Sequence, residues 1–279
     1  MPYFAPETTT EALTFLRASQ ARIVAGCTDY YPGLATGQID ENVLDITRLA
    51  GCRGVSESSN GWRIGAATTW TQIVKTELPP AFDALKIAAR QVGSIQIQNR
   101  GTIAGNICNA SPAADGVPPL LVLDAAVEIL SHDGVRTVPL KDFITGVRKV
   151  DLAEGEFVSA ILVPPVSRRA TSAFLKLGSR THMVISIAMV ASIVEIDAGR
   201  IVTARLAVGS CSPVAQRLTA LEDQLAGLSA DEVRQTDFAA DGALAPLTPI
   251  SDVRGSQEYR IDVAAELCRR VVLCAFGED

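Results

Sequence analysis

The spacing of apolar and polar residues predicts short strands and amphipathic helices in the first part of the chain. A threonine cap followed by apolar residues at helical spacing predicts a helix over Thr8–Leu16. Runs of β-branched residues predict strands at Ala21–Gly26 and Asn42–Ile46, with a second helical stretch between them. These elements are expected to form a first subdomain that ends near Gly51.

The same spacing predicts the next elements along the chain. Trp62–Ala66 has the pattern of a strand, and a helix that begins at Thr68 has to end before the two prolines that start at Pro79. Apolar residues at helical spacing predict another helix over Ala81–Val92. The turn Ser131–Gly134 lies between two apolar runs and therefore predicts a β-hairpin.

Residues 93–116 interrupt this regular pattern. Polar residues are mixed with glycines throughout the stretch, and no strand or helix period extends across it. Long loops of this kind are often functional when they are buried. The sequence therefore predicts a buried functional loop without regular secondary structure here.

Pro164 and Pro165 mark the expected domain boundary, because two prolines cannot continue a helix or a central strand. Beyond them the pattern predicts three antiparallel strands with helices packed on the small sheet. The strands are expected at Ala173–Leu177, Val184–Val194 and Ile201–Val208, and the helices at Leu218–Leu225 and Ile261–Phe276. The predicted fold class is α+β, with one domain at 1–165, divided into subdomains of about 1–54 and 55–165, and a second domain at 170–279.

Composition narrows the function classes. The 279 residues carry a formal net charge of −6 without any basic run, which argues against nucleic acid or an anionic membrane surface as a partner. The uncharged apolar stretch Met183–Val194 is much shorter than the roughly 20 residues of a membrane-spanning helix. The N-terminal residues lack the basic end and apolar centre of a signal peptide. We therefore expect a cytoplasmic protein without a membrane span.

Cysteine and histidine offer little catalytic chemistry in this sequence. The six cysteines include no C-x-x-C pair, so they are expected to be buried thiols rather than metal ligands or disulfides. Of the two histidines, His132 lies in the turn Ser131–Gly134, and neither it nor His182 is expected to belong to a catalytic triad. No catalytic residue and no metal site are predicted on this chain.

Two stretches of small residues are candidates for binding an anion. In Val24–Asp29 a strand runs into a turn whose small residues let successive backbone N–H groups point into one concavity, although an ordinary tight turn has the same composition. Thr102–Asn106 and Asn109–Asp115 add further amides, hydroxyls and an acid, although they could also form a loop that caps itself. Neither standard nucleotide-binding fingerprint is present. Two such stretches from different subdomains favour a dinucleotide lying between them.

Four segments together resemble a known family. They are Ala25–Asp29, Asn99–Asn106, Ala110–Asp115 and Pro249–Arg260, and they occur in the family's order over nearly the whole chain. The family is the FAD-binding (medium) subunit of the molybdenum hydroxylases, which includes the flavoprotein subunits of bacterial xanthine dehydrogenases and of carbon monoxide dehydrogenase. The resemblance implies a two-part FAD-binding domain of the vanillyl-alcohol-oxidase (PCMH) type, followed by a small domain of sheet and helices.

The resemblance also implies which residues contact FAD. The first turn would contact the pyrophosphate through Val24, Ala25, Gly26, Cys27, Thr28, Asp29, Tyr30 and Tyr31, with Gly26 leaving space at the backbone. The second stretch would approach from the other side through Thr102, Ile103, Ala104, Gly105 and Asn106. Ser111 and Asp115 would lie toward the adenosine end, Val158 would pack on the flavin, and Lys176 would lie near the polar edge of the ring. The alternative for Lys176 is a solvated surface lysine.

One departure from the family pattern affects this assignment. The family usually has two glycines in the first turn, and this chain has Gly26 followed by Cys27. If the second position needs a positive φ, Cys27 stores about 1–2 kcal/mol of strain. A buried neutral thiol is the ordinary outcome for a cysteine without an activating base. A covalent cysteinyl–flavin link is the alternative. Ala104, where the family often has glycine, is a milder departure.

The function implied by the resemblance is electron transfer. The chain would hold FAD non-covalently and pass electrons from an iron–sulfur small subunit with 2Fe–2S clusters to NAD⁺ or another acceptor, while a molybdopterin large subunit hydroxylates the substrate. A stand-alone flavin oxidase of the same fold and a flavin-free docking subunit are the alternatives. The Pro249–Arg260 motif favours the hydroxylase subunit over an oxidase.

Overall fold

The computed structural model describes residues 3–34, 37, 39–180, 183–240 and 242–278. The helices are α1 (Thr9–Ala18), α2 (Trp70–Lys75), α3 (Asp83–Gln91), α4 (Ile95–Gln98), α5 (Ile103–Asn109), α6 (Val117–Val122), α7 (Leu140–Phe143), α8 (Thr219–Leu225), α9 (Ala230–Gln235) and α10 (Gln257–Leu273). The strands are β1 (Tyr3–Phe4), β2 (Arg22–Val24), β3 (Val43–Asp45), β4 (Val55–Ser58), β5 (Gly61–Gly65), β6 (Ala126–Ser131), β7 (Gly134–Pro139), β8 (Ile144–Gly146), β9 (Lys149–Val150), β10 (Phe157–Val163), β11 (Thr171–Leu177), β12 (Ala188–Asp197), β13 (Arg200–Gly209) and β14 (Gln216–Arg217).

The first subdomain is a small parallel sheet with one helix. The strand order is β1-β3-β2, and both pairings are parallel. A capping box between Thr8 and Glu11 starts α1 where the sequence predicts it. The predicted second helix between β2 and β3 is wrong for the described residues, which form only a 3₁₀ turn at Tyr31–Gly33. Pro32 and the glycine after it favour such a turn over a longer helix.

The second subdomain contains a five-stranded antiparallel sheet. Its order is β4-β5-β10-β6-β7, and the predicted hairpin at Ser131–Gly134 joins β6 to β7. β10 lies at the centre and is buried along nearly its whole length, which places Phe157 and Ile161 in the core. A register shift between Val158 and Ala160 bends this strand at the end where it approaches β2 and α5.

The expectation that residues 93–116 lack regular structure is wrong. α4 and α5 both lie in this stretch, and Ser94 and Thr102 cap their N-termini with side-chain oxygens. Each helix has at most two turns, so too few apolar positions repeat for a helical period to stand out against the surrounding glycines. Burial of Ile103 and Ile107 nevertheless anchors α5 in the core.

The last part of the chain forms a four-stranded antiparallel sheet covered on both faces. The three predicted strands are present as β11, β12 and β13, β12 begins later than expected, and the short β14 adds a fourth. Met189, Ala191 and Ile193 join the core of the preceding subdomain, whereas Ala188 and Val190 join a second core with α8, α9 and α10. The sequence did not predict helix α9, which the structure contains between the two predicted helices. The alternation along β12 therefore connects the two halves of the molecule.

Within the described residues no helix has both the length and the apolar character needed to cross a membrane. The same residues contain no group of three or more histidine, cysteine or acidic side chains arranged to hold a metal ion.

Candidate functional site

A cavity of about 1220 Å³ lies where the parallel sheet, α5 and the start of β10 meet. Pockets for drug-sized ligands have volumes of about 300–1,000 Å³, so this cavity is large enough for a dinucleotide. Many of the FAD-binding residues predicted above line this cavity. They are Val24, Ala25, Gly26, Cys27, Thr28, Asp29, Tyr30, Thr102, Ala104, Gly105, Asn106 and Val158.

The turn after β2 presents unpaired backbone donors to this cavity. The N–H groups of Gly26, Cys27, Thr28 and Asp29 donate to no acceptor in the described part of the chain. Cys27 has φ +60°, and a residue in the left-handed region beside right-handed neighbours turns successive N–H groups toward one side. This geometry is suited to binding an anion through main-chain atoms.

Gly26 also has a structural role that the sequence did not predict. A β-carbon at this position would collide with the backbone carbonyl of Arg100 and would lie 2.9 Å from Cα of Gly101. Glycine is required here because the two walls of the cavity touch at this point. The contact fixes the distance between the turn and the segment that precedes α5.

Two cysteines line the cavity as neutral thiols. Burial raises the pKa of Cys27, with a further contribution from the negative charge of Asp45, and the Cys27 Sγ–H donates to the Ala25 carbonyl at 3.4 Å. Burial also raises the pKa of Cys108 to about 12. A raised pKa lowers the fraction of thiolate, which is the nucleophilic form. Cys27 has the positive φ that glycine adopts without penalty. A cysteine in place of the family's second glycine therefore stores backbone strain.

The opposite wall, formed by Thr102 and α5, has no comparable set of free amides. Ile103 N–H donates to the Thr68 carbonyl at 3.0 Å, and Ala104 N–H donates to the Ala66 carbonyl at 3.3 Å. Gly105 N–H donates to the Thr102 hydroxyl at 3.1 Å and Asn106 N–H to the Thr102 carbonyl. The protein itself therefore satisfies the donors that the sequence suggested for a ligand.

Asn106 is one of the polar side chains that this wall offers. Its Oδ1 accepts a hydrogen bond from Gly116 N–H at 3.2 Å, and its Nδ2 donates to no described residue. Asn106 is partly exposed and lines the cavity. The free Nδ2 can therefore donate to an acceptor on a bound ligand.

Five of the predicted residues do not line the cavity. Ile103 is fully buried in the core, Tyr31 is 48% exposed, and the Ser111 hydroxyl accepts from Ala113 N–H within its own turn. Lys176 Nζ lies 2.7 Å from Asp115 Oδ2, and both side chains are buried. The resemblance assigns these two residues to separate parts of FAD, whereas the structure pairs them with each other. The alternative of a solvated Lys176 is excluded because only 7% of its side chain is exposed.

Other residues complete the lining and were missed from the sequence. At one end Glu41 Oε1 accepts from Tyr30 Oη at 3.3 Å and from Arg22 Nε at 3.4 Å. The segment that leads into β10 adds residues 152–157 to the lining. In the sequence, the Glu-Gly-Glu turn before a buried strand could have indicated this segment. Trp70 and Val92 contribute apolar surface from more distant parts of the chain.

The charges on the lining indicate how an anion would have to be held. Among the described residues that line the cavity, acidic side chains outnumber the basic side chain of Arg22. The acidic residues are Asp29, Asp40, Glu41, Glu154 and Glu156. A diphosphate in this cavity would depend on neutral donors, mainly main-chain N–H groups, rather than on arginine or lysine. Apolar walls beside these donors suit a dinucleotide with a flat ring, such as FAD.

Comparison with protein families agrees with this geometry. Residues 1–166 match the family model described as FAD binding domain in molybdopterin dehydrogenase. Residues 173–275 match the family model described as CO dehydrogenase flavoprotein C-terminal domain. The two matches together span most of the chain in a single order.

Individual relatives give the same result. The chain is 33% identical to a xanthine dehydrogenase FAD-binding subunit of Escherichia coli, covering 97% of this chain and 94% of the relative. It is 32% identical to the glyceraldehyde dehydrogenase medium chain of Sulfolobus acidocaldarius, covering 95% and 94%. The structure matches a chain of carbon monoxide dehydrogenase from Hydrogenophaga pseudoflava with a TM-score of 0.88, 27% identity and coverage of 99% and 97%.

These findings confirm the predicted fold class and family. The matched family domain binds FAD, and the relatives are named as single chains or subunits of larger oxidoreductases. The chain belongs to the family of FAD-binding subunits of the molybdenum hydroxylases of the xanthine dehydrogenase and carbon monoxide dehydrogenase type.

Proposed function

We propose that this chain holds FAD non-covalently in the cavity and passes electrons from an iron–sulfur partner subunit to NAD⁺ or another acceptor. The observation that carries the proposal is a row of four N–H groups, from Gly26 to Asp29, that have no acceptor among the described residues and belong to residues that line a cavity of about 1220 Å³. When bound, FAD supplies a ring that accepts and releases electrons singly or in pairs.

The chain's own residues bind and orient the cofactor. The N–H groups of Gly26, Cys27, Thr28 and Asp29 would donate to the pyrophosphate, and Asn106 Nδ2 would donate from the opposite wall. Val158 and the other apolar lining residues would exclude water from the ring. The neutral Cys27 thiol supports a non-covalent complex.

The partners are proposed from the relatives. Several are named as medium chains or medium subunits, and the matched carbon monoxide dehydrogenase structure is described as lacking the Mo-pyranopterin moiety of its molybdenum cofactor. We place the molybdopterin group on a large partner subunit and the 2Fe–2S clusters on a small one. Their role would be to oxidise the substrate and deliver electrons to the flavin of this chain.

The binding proposal is tested on the purified protein. Acid precipitation should release one equivalent of FAD into the supernatant, because no covalent bond retains it. Flavin that stays with the precipitate would contradict non-covalent binding. Absence of flavin from both fractions, with no uptake of added FAD, would support the flavin-free docking subunit instead.

The electron-transfer proposal needs a separate assay. The isolated subunit is expected to pass electrons from NADH to an artificial dye and to show no hydroxylation of purines or N-heterocycles. Hydroxylation should appear only after the two proposed partner subunits are added. Turnover of such a substrate by this chain alone would support the stand-alone flavin oxidase.

A further inference from the structure

A short segment between β9 and β10, residues 151–156, forms one side of the cavity. Residues 152–156 line the cavity, whereas Asp151 is not among the described residues that do. The segment contains no helix or strand, and Gly155 has φ +79°, which allows the chain to turn before it enters β10. A cavity wall without regular secondary structure depends on other contacts to keep its position.

The turn in this segment is closed by Glu156 at its end. Glu156 N–H donates to the Ala153 carbonyl at 3.2 Å, and Glu156 Oε2 accepts from Ala153 N–H at 2.8 Å. These two hydrogen bonds keep the carboxylate at the cavity wall, where only 12% of the Glu156 side chain is exposed. A carboxylate that is enclosed to this extent needs a partner of opposite charge.

Arg136 on β7 supplies that charge from behind the wall. Its Nε and Nη2 donate to the two carboxylate oxygens of Glu156 at 2.8 and 2.7 Å, a paired geometry that a lysine cannot reproduce. Its Nη1 donates to Asp151 Oδ2 and its Nη2 to the Asp151 carbonyl, both at 2.8 Å. Arg136 is not among the described residues that line the cavity. One guanidinium group therefore holds both ends of the segment.

The ion pair offsets the negative charge that Glu156 would otherwise present to a ligand. Hydrogen bonds from Arg136 lower the pKa of Glu156, and hydrogen bonds to Glu156 and Asp151 raise the pKa of Arg136, so both members of the pair are ionised at neutral pH. Acidic side chains already outnumber basic ones on the cavity lining, and a diphosphate ligand is itself negatively charged. An unpaired Glu156 would add to the repulsion.

We propose that Arg136 is a positioning residue for cofactor binding, which neutralises the Glu156 carboxylate on the cavity wall and so allows the diphosphate of FAD to enter the same cavity. This inference rests on the proposed function, because it concerns how the cavity accepts its cofactor. Arg136 acts through Glu156. Its role differs from that of the main-chain donors of the turn 25–30, because it removes a repulsion and adds no hydrogen bond to the ligand.

The FAD affinity of the deflavinated protein, measured by flavin fluorescence at low ionic strength, tests the proposal. Arg136→Met leaves the Glu156 carboxylate without its counter-charge and should weaken binding by about tenfold. The double variant Arg136→Met, Glu156→Gln removes the carboxylate charge as well. Its affinity should return to within about threefold of the wild type.

Asp151→Asn in the Arg136→Met background is the matched control. Asp151 loses the same partner, but it is not on the described cavity lining, so this second change should recover no affinity. Ionic strength provides a further readout. Relative to the wild type, the loss in Arg136→Met should shrink as the salt concentration rises, because salt screens the repulsion. A loss that persists unchanged in high salt would indicate a displaced wall and would contradict the proposal.

Glu156→Gln alone keeps the proposal testable if Arg136→Met does not fold. It removes one negative charge from the wall and retains an oxygen that can accept from Arg136, so FAD affinity should equal or exceed that of the wild type. A decrease of more than about threefold would mean that FAD binding needs the Glu156 carboxylate itself, and the inference would be wrong.

The remaining outcomes separate the inference from the proposed function. Unchanged affinity in Arg136→Met would overturn the inference, and so would an equal loss in Arg136→Met and in its double variant with Glu156→Gln. Recovery by Asp151→Asn as large as that by Glu156→Gln would also overturn it, because net charge alone would then explain the effect. A wild-type protein that binds no FAD would refute the proposed function itself.

Discussion

The two walls of the cavity contain similar sequences but offer a ligand different groups. Both the turn 25–30 and the segment 102–106 are rich in small residues, and both suggest backbone donors. In the turn four successive N–H groups are free of described partners, whereas in the segment the N–H groups of residues 103–106 are all bonded within the protein. A stretch of small residues therefore supplies main-chain donors only where no secondary structure has already used them.

The two walls differ because only one of them begins a helix. Thr102 begins α5, and the first N–H groups of a helix lack helical acceptors, so the carbonyls of Ala66 and Thr68 satisfy two of them. Cys27 has a positive φ that prevents a regular helix from forming after β2. We infer that the turn binds the anion and that the segment on α5 acts as a rigid wall from which the Asn106 side chain can donate.

Gly26→Val should have the largest effect, because it breaks the contact between the walls. Its side chain would collide with the carbonyl of Arg100, so we expect loss of flavin absorbance and a decrease of about 1–3 kcal/mol in the free energy of unfolding. Absorbance spectra and urea unfolding of the apoprotein measure the two effects. In the control Gly51→Ala the new β-carbon meets no atom within 4 Å, and both properties should stay unchanged. Full FAD occupancy in Gly26→Val would contradict the described contact.

Thr102→Val tests the wall on α5. It removes the oxygen that accepts from Gly105 N–H, and loss of an N-cap costs about 1 kcal/mol of unfolding free energy. We expect lower stability of the apoprotein and FAD affinity within about threefold of the wild type, because the main-chain donors of the turn remain. A loss of affinity without a loss of stability would show that Thr102 binds the ligand directly.

Cys27→Gly tests the turn in the opposite direction. Glycine adopts the positive φ of this position without the side-chain penalty, so the apoprotein should gain up to about 1 kcal/mol and still bind FAD. Cys27→Ala retains a β-carbon and should show no such gain. Equal stability of the glycine and alanine variants, measured by urea unfolding, would argue against strain at this residue.

The smallest predicted effect is a pH dependence from the same thiol. Because the folded state raises the pKa of Cys27, the unfolded chain loses the proton first as the pH rises above about 8.5. The unfolding free energy of the wild type should therefore fall relative to that of Cys27→Ala at alkaline pH. At about one pH unit above 8.5 the expected decrease is less than about 1 kcal/mol. A constant difference between the two proteins over this range would contradict the raised pKa.

The sequence predicted local features better than contacts between distant residues. The capped helix at Thr8, the hairpin at Ser131–Gly134 and the turn after β2 depend on neighbouring residues, so their patterns were sufficient. The acceptors for the first two amides of α5, Thr68 for Ile103 and Ala66 for Ala104, lie 35 and 38 residues earlier in the chain, and the Asp115–Lys176 pair is separated by 61 residues. No spacing rule indicates such partners, so the sequence alone suggested free donors on α5 and did not predict the ion pair.

The claim that the turn binds the pyrophosphate through its main chain is tested most directly by NMR of the ¹⁵N-labelled, deflavinated protein during titration with FAD. The amide signals of Gly26, Cys27, Thr28 and Asp29 should show large downfield shifts, because hydrogen bonds to an anion deshield the amide proton. The amide signals of Ile103, Ala104 and Gly105 should shift much less, since their hydrogen bonds are already made within the protein. Large shifts at residues 103–105 with unchanged signals at residues 26–29 would contradict the account.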